Sequence, residues 1–257
     1  MEPVTSALVS SAKTAVVKYV GEFIKGKVIE RWSQYRAEKF YDSFLEEFQK
    51  QADVRCQSAD LDDLLLKVSE RDEVSSLLFD AYRRVCLSAS RELGPRVIGL
   101  LTAEIVLEGR TATEGEEQMF QAAETLNDKE FLEFAGYLKA QVPRLSEHQR
   151  ECLKALGWAK ILVADDQAHC ELEGGYLRPA APFEIGGYVG IWALRLKNIG
   201  LISEERDEEV WVVPHDSERH IDQDMRCRST KDYLVTTPEC HRLAYLIDRA
   251  SRARRAS

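Results

Sequence analysis

Residues 194–202 read Leu-Arg-Leu-Lys-Asn-Ile-Gly-Leu-Ile, and residues 233–247 read Tyr-Leu-Val-Thr-Thr-Pro-Glu-Cys-His-Arg-Leu-Ala-Tyr-Leu-Ile. The first string is the end of a helix. Leu194 and Leu196 to Ile199 are read as its inward side, and Gly200 supplies the left-handed turn that ends it. Leu201-Ile202 opens a strand, and the return strand closes at Thr236-Thr237. Pro238 then stands at the first turn of another helix, where its missing N–H costs nothing. Helix, strand, return strand and helix follow within one short piece of chain.

Outward from this stretch the texture divides. Upstream of Pro143 the chain reads as helix almost throughout. Apolar residues from Val4 through Trp32 and Tyr35 to Phe48 recur in steps of three and four, the mark of one helix face. Asp60 is placed as a cap for Leu61–Leu66. A helical run from Asp72 to Leu93 is ended by Gly94-Pro95 and resumes at Arg96, and Thr113–Leu126 forms a further helix. Asn127 and Glu130 have capping-box spacing, and Ser146 caps the helix that carries Cys152, Leu153 and Leu156. Beyond it, Gly174, Gly175, Gly186, Gly187 and Gly190 break the helical text, with β-type runs at Val210–Val213 and Tyr233–Val235. The fold class is therefore mostly α with a small β portion (α+β). A helical domain is expected over 1–143 and a second domain over 144–257, with sheet only after about Gly174.

The order of the second part resembles the winged-helix superfamily. Residues Phe183–Asn198 take the place of the groove helix, and the two strands that follow take the place of the wing. The resemblance implies DNA binding, but the charge opposes it. Between Ser203 and Asp224 there are nine acidic residues against two basic ones, a local charge of −7. Phosphate would be repelled there. The groove helix offers Arg195 and Lys197, and the basic tail adds Arg252, Arg254 and Arg255. These five are the candidate nucleic-acid residues, and weak or absent duplex binding is expected. The candidate partner surface is instead Glu204, Glu205, Asp207, Glu208 and Glu209, flanked by Tyr188 and Trp192.

Composition bounds the rest. The formal net charge of −9 disfavours general nucleic-acid binding by the whole molecule. No run approaches the roughly 18 apolar residues of a membrane span, and no secretory leader is read at the N-terminus. A cytoplasmic location is expected. The six cysteines are scattered without a CxxC pair and read as reduced. His169-Cys170 and Cys240-His241, with Cys227 nearby, do not read as a zinc site, because zinc ligands come in short-spaced pairs. His215 and His220 read as solvated. Gly186-Gly187-Tyr188-Val189-Gly190 lacks phosphate-loop spacing and reads as a tight helix entry. With no nucleophile or paired-carboxylate motif, no enzyme, cofactor or metal is expected. Lys13, Lys18, Lys25, Lys27, Arg31 and Arg36 make a membrane-surface helix an alternative.

The long N-terminal amphipathic helix, the helices after it and the 194–247 fingerprint together are similar in layout to bacterial abortive-infection proteins of the Abi-alpha kind. They are similar also to exclusion proteins of temperate phages. That resemblance implies an anti-phage protein acting through a protein partner, such as a basic phage nucleic-acid-binding protein. A winged-helix transcription regulator and a membrane-active effector are the rival readings. Homo-oligomerisation is left open.

Overall fold

The computed structural model describes residues 34–55, 72–172, 182–214 and 224–256. The expected helix over 4–33, the cap at Asp60, and the lysines of the N-terminal helix lie outside them. The fold is mostly helical with one small antiparallel sheet. The chain divides into two compact units, 1–136 together with 242–257, and 137–241. The expected boundary was a single one near Pro143; here the last sixteen residues return to the first unit.

In the first unit, α1 (Gln34–Arg55), α2 (Asp72–Leu87), α3 (Leu93–Glu108) and α4 (Glu114–Thr125) precede α5, which spans Asp128–Gln141. Every residue of α3 from Leu93 to Ala103 is buried, Arg96 and Thr102 among them, so this mainly apolar helix forms the centre of the unit. Phe40 and Phe44 of α1 stack near it with centroids 6.0 Å apart. Gly99 permits the close approach: a Cβ there would sit 2.5 Å from the Phe40 carbonyl oxygen. Met119, Phe120, Phe131 and Phe134 complete the core with Leu243, Leu246 and Ile247.

The helix break falls earlier than Gly94-Pro95. Residues 88–92 are non-helical, and Gly94 and Pro95 lie in the first turn of α3. The cause is Asp128, distant in sequence. Its carboxylate accepts from the N–H groups of Arg91, Glu92 and Leu93 at 2.9, 3.2 and 2.8 Å and from the Ser90 hydroxyl at 2.6 Å. It thereby caps the orphan donors of α3 from another helix. Pro95 has no N–H to satisfy there. The caps expected from local spacing at Asn127 and Ser146 are present: Asn127 and Glu130 exchange bonds at the start of α5, and Ser146 and Gln149 at the start of α6 (Glu147–Leu156). Thr113 and Glu116 form a further capping box at the start of α4, which the sequence reading had given only as a helix start.

The second unit contains α6, β1 (Ala159–Leu172), α7 (Ile185–Tyr188), α8 (Ile191–Ile199), β2 (Ile202–Val213) and β3 (Met225–Thr236). The strand order is β1-β3-β2, all antiparallel. β1 was not expected, and it puts sheet well before Gly174. Its register slips twice, between Leu162 and Ala164 and between Asp166 and His169. The slips and the polar run Asp165-Asp166-Gln167-Ala168-His169 erase the alternation that would announce a strand. The expected single helix 183–198 is instead two. Gly190, with φ +125, separates the one-turn α7 from α8, and Gly200, with φ +89, ends α8 as expected. The closing helix α9 (Pro238–Ala256) begins at Pro238, with Thr237 accepting from the Cys240 N–H at 3.2 Å. The tail is helical to Ala256.

The expectation of reduced cysteines fails at one pair. Cys170 and Cys227 stand opposite each other in register and are joined as a disulfide, with Cα atoms 4.0 Å apart. They are 57 residues apart in sequence, so no short motif could betray them. Cys86 and Cys240 are free thiols. No described helix is long and apolar enough to cross a membrane.

Candidate functional site

Residues two apart on a strand share a face. On the central strand β3, Thr230, Asp232, Leu234 and Thr236 are all buried, which identifies the inner face of the sheet. The register sets Ala164, Arg206 and Asp232 side by side on that face. Asp166, Glu208 and Thr230 form the next row. Arg206 donates to both Asp232 carboxylate oxygens, at 2.6 and 3.0 Å. Those hydrogen bonds hold the guanidinium above its usual pKa against the opposing effect of burial. Over this polar layer lie Phe183 and Tyr188, with ring centroids 5.3 Å apart. Between the rings and the sheet is a half-open cavity of about 430 Å³, with Asp165 and Asp166 of β1 on another side.

The acidic residues of β2 have partners that the linear sequence conceals. Glu204 pairs with Lys197 at 2.5 Å. Glu205 and Asp207 share Lys160, at 2.7 and 3.0 Å. Glu208 lies 2.7 Å from Arg228. The bases come from α8, β1 and β3, which lie beside the acidic run in space and not in sequence. The −7 counted along the chain is thus partly offset on the folded surface. β2 remains an edge strand, exposed from Glu205 through Val210.

Two further readings are corrected. Trp192 is only 1% exposed and packs on Tyr137 at 5.5 Å, so it is core and not partner surface. Leu194, placed inward by the sequence, is 40% exposed. The inward side of α8 is Trp192, Ala193 and Leu196. Its outward side, with Tyr188 just ahead, is an apolar stripe of Tyr188, Ile191 and Leu194 at three-residue steps. Asn198 and Lys197 stand at its end.

Of the nucleic-acid candidates, Arg195 is half-buried, Lys197 is held by Glu204, and Arg252 pairs with Asp248. The side chains of Arg254 and Arg255 lie outside the described residues, as do His215 and His220. The zinc candidates do not meet. Cys170 and Cys227 are joined near one end of β3. Cys240 and His241 lie beyond the other end, with His241 Nε2 2.7 Å from the Thr236 hydroxyl. The nine steps of strand between Cys227 and Thr236 span roughly 30 Å. No three metal-ligating side chains converge among the described residues.

Sequence reading missed Lys160, Asp165, Asp166, Thr230 and Asp232. The one local signal was the odd apolar pair Ile161 and Val163 after the Gly157 helix stop. Compared with known proteins, the chain matches no family model, no curated protein and no solved structure.

Proposed function

We propose that the 137–241 unit is a winged-helix-like module that binds a basic protein segment, and that the chain acts by this binding and not by covalent chemistry. Support for the fold assignment comes from element order. Helix α6, strand β1, helices α7 and α8, then a hairpin whose return strand β3 lies between β1 and β2, follow the winged-helix arrangement. The observation that carries the binding reading is the pairing of two surfaces in one unit. One is the exposed acidic edge of β2. The other is the exposed apolar stripe Tyr188, Ile191 and Leu194. A charged edge that steers and an apolar patch that buries suit protein recognition.

The face that would read DNA argues against a regulator. Its outward positions on α8 are mainly apolar, and Lys197 is already engaged by Glu204. Base readout needs free donors. The layout likeness to abortive-infection and phage-exclusion proteins makes a cytoplasmic bacterial or prophage anti-phage role our reading of the biology. A basic phage nucleic-acid-binding protein is then the partner class to try first.

The test uses stopped-flow association of the full chain with a synthetic Arg/Lys-rich peptide. Glu205→Lys, Asp207→Lys and Glu209→Lys together are expected to slow association by about tenfold or more, and added salt is expected to slow the wild type in the same direction. Thermal unfolding should barely change, because exposed ion pairs contribute little. A duplex 20-mer probed in parallel should bind weakly and without sequence preference. Unchanged association in the triple variant would sink the acidic-edge reading. Tight binding to a defined duplex, lost in Arg195→Ala with Lys197→Ala, would establish the regulator instead.

A further inference from the structure

The outer edge of β2 is open along its main chain. Natural sheets blunt such edges with proline, lysine or bulges, or cover them. β1, at the opposite edge, is interrupted by its two register slips. β2 has neither proline nor lysine, and it pairs with β3 through twelve consecutive residues without a slip. Opposed residues of an antiparallel pair are hydrogen-bonded to each other at every second position. The Thr237 N–H donates to the Leu201 carbonyl at 3.2 Å, one step beyond Ile202↔Thr236. The odd-numbered residues of β2 therefore direct their main-chain groups to β3. The even-numbered ones, Glu204, Arg206, Glu208, Val210 and Val212, turn theirs to the open edge. Among the described residues no other backbone–backbone hydrogen bond engages them. Only the start of the edge is approached, where the Ile185 N–H of α7 reaches the Glu204 carboxylate at 3.4 Å. Every residue from Glu205 to Val210 is exposed, and Val212 is exposed again. The stretch from Arg206 to Val212 is roughly 20 Å long, enough for a strand of ordinary length.

The side chains along the edge select what joins it. Glu204, Glu205, Asp207, Glu208 and Glu209 stand against one guanidinium, and Arg206 is itself closed on Asp232. Lys160 and Arg228, which offset part of this charge, reach in from β1 and β3, on the side away from the edge. A second copy of β2 is a poor occupant, because it sets acid beside acid and like charges opposed across a ladder destabilise it. Glu205, Asp207 and Glu209 share the outer face, while Val210 and Val212, 42% and 57% exposed, share the inner one. We propose that β2 takes up a basic extended segment as a fourth strand of the sheet. The main chain of Arg206, Glu208, Val210 and Val212 bonds to it. Lysine or arginine at its alternate positions lies beside Glu205, Asp207 and Glu209, with β-branched residues between. This mode of binding rests on the partner reading above for the charge of the segment, and adds to it the hydrogen-bonded edge.

Fluorescence anisotropy of the full chain with the labelled, end-blocked peptide Thr-Lys-Val-Lys-Val-Lys-Val tests it. Two twins of that peptide carry N-methyl groups, one on its lysines and the other on its valines. An added strand presents the N–H groups of alternate residues to β2 and those of the rest to solvent. One twin is therefore expected to bind like the parent and the other to weaken about tenfold or more. Loss in the valine twin marks antiparallel addition and loss in the lysine twin parallel addition, and either establishes the fourth strand. Val210→Pro removes one outward N–H and no bond to β3, so it should keep the sheet and weaken the parent peptide by about a few-fold. Equal affinities of the two twins, or an unchanged affinity in Val210→Pro, would overturn the fourth strand. If those equal affinities also fall in the β2 triple reversal, the acidic-edge reading stands without it. Absence of saturable binding by the parent, while an Arg/Lys-rich peptide without the alternation still binds, would overturn it too. The carboxylates would then serve to keep the edge from pairing.

Discussion

Glu116→Ala is expected to destabilise the unit formed by 1–136 and 242–257 by about 3–5 kcal/mol. Glu116 is 1% exposed. Its carboxylate accepts from Arg110 at 2.5 and 2.7 Å, from Arg242 at 2.8 Å and from the Thr113 N–H at 2.9 Å. Arg242 also reaches Glu104 at 2.7 Å, and Arg249 bridges Glu104 and Glu47. This network fastens α9 to α1, α3 and α4, and the alanine variant leaves two guanidinium groups without their shared partner. Burial alone would raise the Glu116 carboxyl, but the bonds from Arg110, Thr113 and Arg242 outweigh it and hold the pKa at about 2. A depressed folded-state pKa stabilises the fold above the unfolded value and ceases to do so as pH falls toward 2. Urea unfolding followed by far-ultraviolet circular dichroism should show stability dropping between about pH 4.5 and 2. Asp128, also held below its usual value despite burial, acts in the same direction. In Glu116→Gln the slope over that window should be shallower. A loss under about 1 kcal/mol in Glu116→Ala would mean that the network is incidental to stability.

What could be read in the sequence was local. The helix start at Thr113, the caps at Asn127 and Ser146, the stops at Gly200 and before Pro238, and the helical steps through Phe40 and Phe44 each depend on residues within a few positions. All of them stand in the structure. The failures are long-range. The start of α3 is set by Asp128, some thirty-five residues on, which no capping rule at Gly94 could see. The inward face of α8 turned on whether Trp192 or Leu194 was buried. Periodicity gives the spacing of a face but not its phase, and the contact with Tyr137 decided the phase. β1 was hidden because its two register slips destroy the period-two pattern.

The same distinction governs the candidate site. Acidity along β2 was plain in the sequence, and the residues named for it are indeed exposed or half-buried on an edge strand. Their neutralising partners were not plain, because Lys160 comes from a strand that had gone unread and Arg228 from across the hairpin. A charge sum along a chain is therefore a poor guide to the potential of a sheet. An antiparallel sheet mixes residues from three separate stretches in each row. The cavity with Thr230 at its floor likewise exists only once β1, β2 and β3 are in register.

Severing the Cys170–Cys227 link is the other large expected effect. The bond closes a loop of 57 residues, and on the chain-entropy account such a loop is worth about 4 kcal/mol. Cys170 is exposed and Cys227 buried, so Cys170→Ser removes the link with little disturbance of packing. Four residue pairs, from His169↔Arg228 to Leu172↔Met225, lie beyond the second register slip of β1. Without the disulfide, the ladder hydrogen bonds no longer have a covalent tie beside them. Amide exchange at His169–Leu172 should quicken first, and the urea midpoint should fall. Trp211, across from Cys227 on β2, reports the change by fluorescence. The oxidised wild type should drop to the level of Cys170→Ser when dithiothreitol is added, and the variant should not respond. Since a cytoplasm keeps thiols reduced, the reduced midpoint is the one that would apply to an intracellular anti-phage protein. Full alkylation of both cysteines in the unreduced protein, or identical midpoints with and without reductant, would show that β1 is held by its ladder alone.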